Sequence, residues 1–418
     1  MQETPATRPL ESVTGGQRLT LLVTTVAGHG IKHIFNSAFF ILLPEIKTGL
    51  MLSNTQVGTL STVRNVAGGL FNLPAGFTAD RFSRWRAAIL GLSIALIGIF
   101  SMALGLAPNF WVATVAAAFM TAAITLWHPA AISSLSRHFA ARRGFAIALH
   151  GTGGSLGETI GPVLAGALII SIGWRLVLQW SVVPAILFGL LVWFVLRPIP
   201  AGEAAAASLG TYLRSFRQLL RSGRLLLVLL FAGGFTGGET VVLTFLPIYL
   251  REDVGVSSFV VGLYLSLANV GGIVSQPLMG YASDRLGRKA VLAPSLTILA
   301  LSILGLYLAP PGWVFAVVVL IMGAFAFPLM SLHLAAVMDL TEGGIQATAV
   351  SLVFGSAVVV SGITPALAGI LADAISVKAT FLMAGGIVLA TALTATVTRW
   401  QATPAQGASG GPGNPAGS

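Results

Sequence analysis

The residues of this chain that could do chemistry lie inside long apolar stretches. The first stretch, residues 19–43, carries His29, Lys32, His33 and Asn36. At 100° per residue these four fall within an arc of about 100°, so they form one polar stripe facing one direction. Arg64 lies in the next stretch, Glu158 and Glu239 in later ones, and His128, His150 and His333 among further apolar neighbours. A charge at the centre of a bilayer costs roughly 3 kcal/mol by insertion scales, so such groups face an interior and are functional candidates. The stripe, with the other histidines, predicts a substrate wall; a seam of helix–helix hydrogen bonds is the alternative. Arg64 offers a planar fork suited to carboxylate, phosphate or phosphonate, and with Lys32 it would make the cavity cationic and select anions. Its structural alternative is a pairing with Glu158 or Glu239. Those two acids are the candidates for proton exchange, because a carboxyl able to gain and lose a proton is what proton coupling needs. The alternative for them is a fixed salt bridge to Lys32 or Arg64. His29 and His33 have the i, i+4 spacing of a divalent-metal pair. No carboxylate accompanies them on their own helix, however, and Lys32 between them repels a cation. We expect no metal and no other cofactor, with a proton gradient as the energy source.

The elements that position these groups are transmembrane helices. The chain has 418 residues, of which 55% are hydrophobic and 9% charged. Soluble domains carry about 25% charged residues, so this surface is built for lipid. Twelve runs reach the ~20 residues needed to cross a bilayer: 19–43, 57–79, 87–107, 111–136, 144–172, 176–196, 225–249, 258–281, 290–309, 313–337, 345–373 and 379–398. The net charge of +10 sits mainly in short loops, where it sets topology, so nucleic acid is not an expected partner. With both ends inside, seventeen Lys and Arg fall in inner loops and tails, against four (Lys47, Arg175, Arg251 and Lys378) in outer loops. That asymmetry predicts cytoplasmic termini. The first seventeen residues are polar and lack a cleavable signal pattern. There is no cysteine, so neither a disulfide framework nor a thiolate metal site is available.

An internal repeat organises the whole. Gly76 to Arg86, GFTADRFSRWR, recurs with an offset of 204 residues as Gly280 to Ala290, GYASDRLGRKA. The preceding segments also match, with Asn65-Val66 on Asn269-Val270 and Gly68 on Gly272. A repeat at this distance means two similar halves. The pattern filled by Gly76, Asp80, Arg81 and Arg84, and again by Gly280, Asp284, Arg285 and Arg288, resembles the cytoplasmic loop motif of major facilitator superfamily transporters. That resemblance implies an all-α membrane protein of twelve transmembrane helices in two pseudo-symmetric six-helix bundles, in which these loops act as a gating latch. The division expected is an N-terminal cytoplasmic tail (1–17), two bundles (18–196 and 225–400), a basic cytoplasmic linker (197–224) and a disordered tail (401–418). In both copies the motif glycine is expected to permit close helix contact.

The fifth run reads Gly157, Gly161-Pro162 and Gly166, small residues for close packing with a proline that kinks the helix. It resembles the antiporter motif of drug/proton exporters in the superfamily, and Thr364-Pro365 to Gly369 is a degraded copy of it. His33-Ile34-Phe35-Asn36, His128-Pro129 and Arg143-Gly144-Phe145-Ala146 leading to Gly153-Gly154 resemble the fosmidomycin-resistance type of exporter. Ser37 and Ala130 stand where that type would place acids, so coupling is expected at Glu158 or Glu239. These resemblances imply a proton-coupled carrier of a bacterial inner membrane, active as a monomer. It would export a small anionic compound by antiport and take part in antibiotic resistance. Proton-coupled uptake of an organic anion such as a monocarboxylate is the alternative, and metal or metallophore transport a weaker one. No nucleophile–base–acid constellation is present, so the chain does not read as an enzyme.

Overall fold

The computed structural model describes residues 13–201, 221–340, 353, 358 and 361–399, except for the side chains of Leu73, Asp80 and Ala141. Helix ends follow local chemistry. Thr14 with Gln17, and Ser53 with Gln56, form capping boxes for α1 (Gly15–Gly49) and α2 (Asn54–Arg81), closing N–H groups that a helix start leaves open. The first half continues with α3 (Arg86–Gly105), α4 (Phe110–Thr125), α5 (Trp127–His138), α6 (Arg143–Trp180) and α7 (Val182–Leu196). Asn109 caps α4. The fourth apolar run is thus two helices, broken at Leu126 ahead of Pro129, whose missing N–H cannot serve the carbonyl four residues back. The fifth and sixth runs share α6, which bends at Gly173 (φ +76°), a backbone value that glycine adopts without penalty.

The second half comprises α8 (Gly223–Ile248), α9 (Ser258–Leu286), α10 (Arg288–Leu308), α11 (Trp313–Asp339), α12 (Thr364–Ala374) and α13 (Ala379–Val397). Among the described residues, nine helical segments are long and apolar enough to cross a membrane. Residues 202–220 of the expected linker (197–224), the expected disordered tail (401–418) and about half of the eleventh run lie outside the described residues.

Within the halves, α1 packs on α6, α3 on α7, α9 on α11 and α10 on α13; across them, α6 meets α9 and α2 meets α12. The two cross-half contacts repeat each other. A Cβ on Gly58 would lie 2.1 Å from the Pro365 carbonyl oxygen, and one on Gly262, its repeat partner, 2.5 Å from that of Pro162. Bare backbone therefore meets bare backbone at both.

Cross-half bonds gather at the end of the bundle away from the termini. After α8 the chain makes a π-helical turn, Tyr249–Asp253, which presents Arg251 to Glu45 at 2.9 Å and Glu252 to Lys47. Ser258 donates to Glu45 at 2.9 Å. Asp373 takes the N–H groups of Asn54 and Thr55 at 2.9 and 2.8 Å, capping α2 from the opposite half. Among the described residues, no cross-half hydrogen bond lies nearer the termini than the one from Asn269 to Glu158. The distal end is closed.

Candidate functional site

The polar stripe of α1 faces α6 and α5. The approach to α6 needs glycine: a Cβ on Gly157 would lie 2.1 Å from the Gly30 carbonyl oxygen, and one on Gly161 2.2 Å from Ser37 Oγ. Gly166, the last glycine of the expected packing motif, instead meets Ser258 of the other half. His128 enters from the first turn of α5, which the break at Leu126 sets off from α4. The site is thus assembled by one kinked helix, one broken helix and one continuous one.

Four imidazoles gather there. His29 stacks on His150 with ring centroids 4.0 Å apart, and His33 and His128 stand edge-on to His29 at 4.6 and 4.8 Å. Their hydrogen bonds form a chain. His29 Nδ1 lies 2.7 Å from the His150 carbonyl oxygen. A carbonyl only accepts, so Nδ1 carries the hydrogen and His29 Nε2 is an acceptor. His33 Nε2, 3.1 Å away, must then donate. That leaves Nδ1 of a neutral His33 bare, and it faces Glu158 Oε1 at 2.7 Å. Two acceptors at this distance repel. One further proton, on the carboxyl or on the ring, replaces that repulsion by attraction. The His33–Glu158 pair is therefore a candidate site for one exchangeable proton.

Lys32 is 1% exposed and directs Nζ to His128 Nε2 at 2.6 Å. The donor atoms of His29, His33 and His128 lie within 4.8 Å of one another, a spacing that could suit a metal ion. Lys32 already occupies His128, and an ammonium there opposes a cation, so the cluster is read as a hydrogen-bond network.

Several sequence expectations change in detail. Among the described residues, Glu158 is salt-bridged to neither Lys32 nor Arg64; its ion-pair partner is His33. Arg64, buried, donates to Asn36 and lies over the rings of Phe39 and Phe40, with Cζ 4.4 and 5.0 Å from their centroids. It touches neither acid, because the α1 face opposite it offers an amide and two aromatic rings. Glu239 on α8 is half-buried and close enough to Glu158 for the two carboxyls to interact electrostatically. His333 is remote from the other histidines, stacked on Phe235 at 5.8 Å with Nδ1 on the Leu329 carbonyl.

At the expected gating loops, nothing lies within 4 Å of a Cβ built on Gly76 or Gly280. Among the described residues, close packing therefore does not explain either glycine in this conformation. In the second copy Arg288 pairs with Asp284 and, at 2.7 Å, with Asp339 at the end of α11; Arg285 lies over Tyr281. In the first copy Arg81 and Arg84 lie over Phe82 and Trp85, and the side chain of Asp80 lies outside the described residues.

Sequence reasoning missed a buried clamp beside the first copy. Arg86, 2% exposed, donates to the carbonyls of Ile199 and Pro200 at 2.7 Å each, and His138 Nε2 shares Pro200 at 2.9 Å. The signal is an Arg at the start of an apolar run, a place where a basic residue also serves topology.

The profile of the Major Facilitator Superfamily matches residues 26–249 and 235–415. The chain belongs to that superfamily. It is 24% identical over 356 residues to the fosmidomycin resistance protein of Escherichia coli (strain K12), covering 84% of this chain and 86% of that protein. The cis,cis-muconate transport protein of Acinetobacter baylyi is 25% identical over 264 residues, 59% of this chain and 62% of that one. A solved bacterial homologue of the human lysosomal transporter Spinster, inward-facing and unoccupied, superposes with a TM-score of 0.79 at 17% identity, covering 94% of this chain and 100% of that chain. The protein is therefore a multi-pass membrane transporter, not an enzyme.

Proposed function

We propose that this transporter is a proton-coupled carrier of a small organic anion, working by alternating access of its two halves in a bacterial inner membrane with both termini cytoplasmic. The observation that carries the reading is the His33–Glu158 contact at 2.7 Å, which the neighbouring hydrogen bonds leave one proton short. Lys32, with Arg64 nearby, supplies the positive charge for the anion, and Glu239 is the second acid within electrostatic reach.

Export by exchange against protons draws support from the glycine–proline motif of α6 and from the relative named for fosmidomycin resistance. Charge balance favours a second reading, proton–anion symport. A proton on the His33–Glu158 pair removes a negative charge beside Lys32, so proton and anion strengthen each other's binding, and such linkage is reciprocal. The relative named for cis,cis-muconate transport agrees with an anionic cargo.

Both readings use one site and differ in the sign of proton flux. The test is substrate-induced pH change inside proteoliposomes, with phosphonates, carboxylates and lipophilic cations beside each other. Anion-driven proton movement that disappears in Glu158→Gln supports the carrier, and its sign separates exchange from symport. A response to cations alone overturns the anion site.

A further inference from the structure

Glu158 is engaged on both sides of its backbone. Its carboxyl meets His33, and its carbonyl has lost its helical partner, because residue 162 is proline and has no N–H to give. Asn269 Nδ2, on α9 of the other half, donates to that carbonyl. Ser266, one turn earlier on α9, donates to the adjoining Thr159 carbonyl at 2.6 Å. The residue that shares a proton with His33 is thus also the residue through which the second half grips α6.

The repeat shows that this grip is not required by the shape of the interface. At the equivalent contact between α2 and α12 the backbone approach is the same, and Thr62, the repeat partner of Ser266, accepts from the N–H of Ala366 at 3.2 Å. Asn65 is the repeat partner of Asn269, yet its amide nitrogen is buried without a hydrogen-bond partner. The asparagine bond is made at the interface that carries the acid.

We propose that Asn269, with Ser266 beside it, is a positioning residue for proton exchange. It holds the backbone of Glu158 where the carboxyl meets His33 and, through the same residue, ties the proton to closure of the distal end. This rests on the proton role assigned above to the His33–Glu158 pair. When that proton leaves, the two facing acceptors repel, Glu158 moves, and the Asn269 bond weakens together with the α6–α9 contact. Opening of the halves and release of the proton are then one linked event.

The native chain has no cysteine, so one introduced thiol reports on the distal end. Ala165→Cys, at a position 3% exposed, is labelled by a membrane-impermeant maleimide only when that end opens. In proteoliposomes, labelling should rise with pH and lose this dependence in Glu158→Gln. Adding Asn269→Ala should raise labelling about tenfold, the scale of an unsatisfied buried carbonyl, and move the pH midpoint by about half a unit. Asn269→Gln, which keeps an amide donor, should restore part of the shift. Asn269→Leu, similar in size but without a donor, should reproduce it if Asn269→Ala does not fold. The decisive background is Pro162→Ala, which returns an N–H to the Glu158 carbonyl; there Asn269→Ala should change labelling less than about twofold. Independent effects of the two substitutions, or an unmoved midpoint with a pH-dependent parent, overturn this inference alone. A parent whose labelling ignores pH overturns the proton role as well.

Discussion

At the scale of single residues, the proposed proton site is one imidazole facing one carboxyl, with the tautomers of the neighbouring rings deciding which atoms can donate. Glu158→Gln keeps the size of the side chain but cannot exchange a proton. It should abolish substrate-driven pH change while leaving counterflow of labelled against unlabelled substrate, measured in the same vesicles. Lys32→Gln removes the buried cation and should raise the Km for an anionic substrate roughly 30-fold, about 2 kcal/mol, with little effect on a neutral analogue. These candidates were legible in the sequence because an ionisable group inside an apolar run has few reasons to be there. Their pairings were not. His33 and Glu158 are 125 positions apart, and nothing in either helix fixes the rotation that brings them to 2.7 Å. Asn36 stands on the polar stripe, but that its amide oxygen accepts from Arg64 is not readable from that position. Hydrogen bonds between helices depend on packing register, to which composition is blind.

At the scale of elements, the glycines separate into those that packing requires and those it does not. Gly157→Ala would push a Cβ to within 2.1 Å of the Gly30 carbonyl oxygen. Backbone cannot yield there cheaply, so the variant should lose about 1–3 kcal/mol, read as a lower melting temperature in detergent. Gly76→Ala, with nothing within 4 Å of the new carbon, should melt within a degree or two of the parent; any loss of transport it causes would belong to another conformation. Sequence alone does not tell these two glycines apart, since both sit in repeated motifs. Outside the eleventh run, of which only Thr364–Ala374 is described as a continuous helix, the described helices were readable to within a few residues. The exceptions were the break at Leu126 and the bend at Gly173, where local backbone geometry overrides apolar content.

At the scale of the whole molecule, the repeat and the placement of arginines disclosed the two halves, but not which end of the bundle is shut. Closure depends on Glu45, Lys47, Arg251, Glu252 and Asp373, surface-type charges near helix ends whose partners lie more than 200 residues away. Asp373→Ala strips a helix cap supplied by the opposite half, worth about 1 kcal/mol. It should shift the population toward distal opening about fivefold, measured as the distance between spin labels at the distal ends of α2 and α12.

The charged lining is unevenly shared between the halves. Lys32, Arg64, His33 and Glu158 belong to the first; among the described residues, Glu239 is the charged group in the middle of a helix of the second. When the halves rock, fixed charge near mid-membrane travels with one of them. A unit charge crossing the full field exchanges about 2.3 kcal/mol per 100 mV. Even a fractional displacement makes the conformational equilibrium a function of voltage, so at constant pH gradient an imposed membrane potential should change the rate of turnover. The carrier would sense the electrical state of its membrane as well as the chemical one.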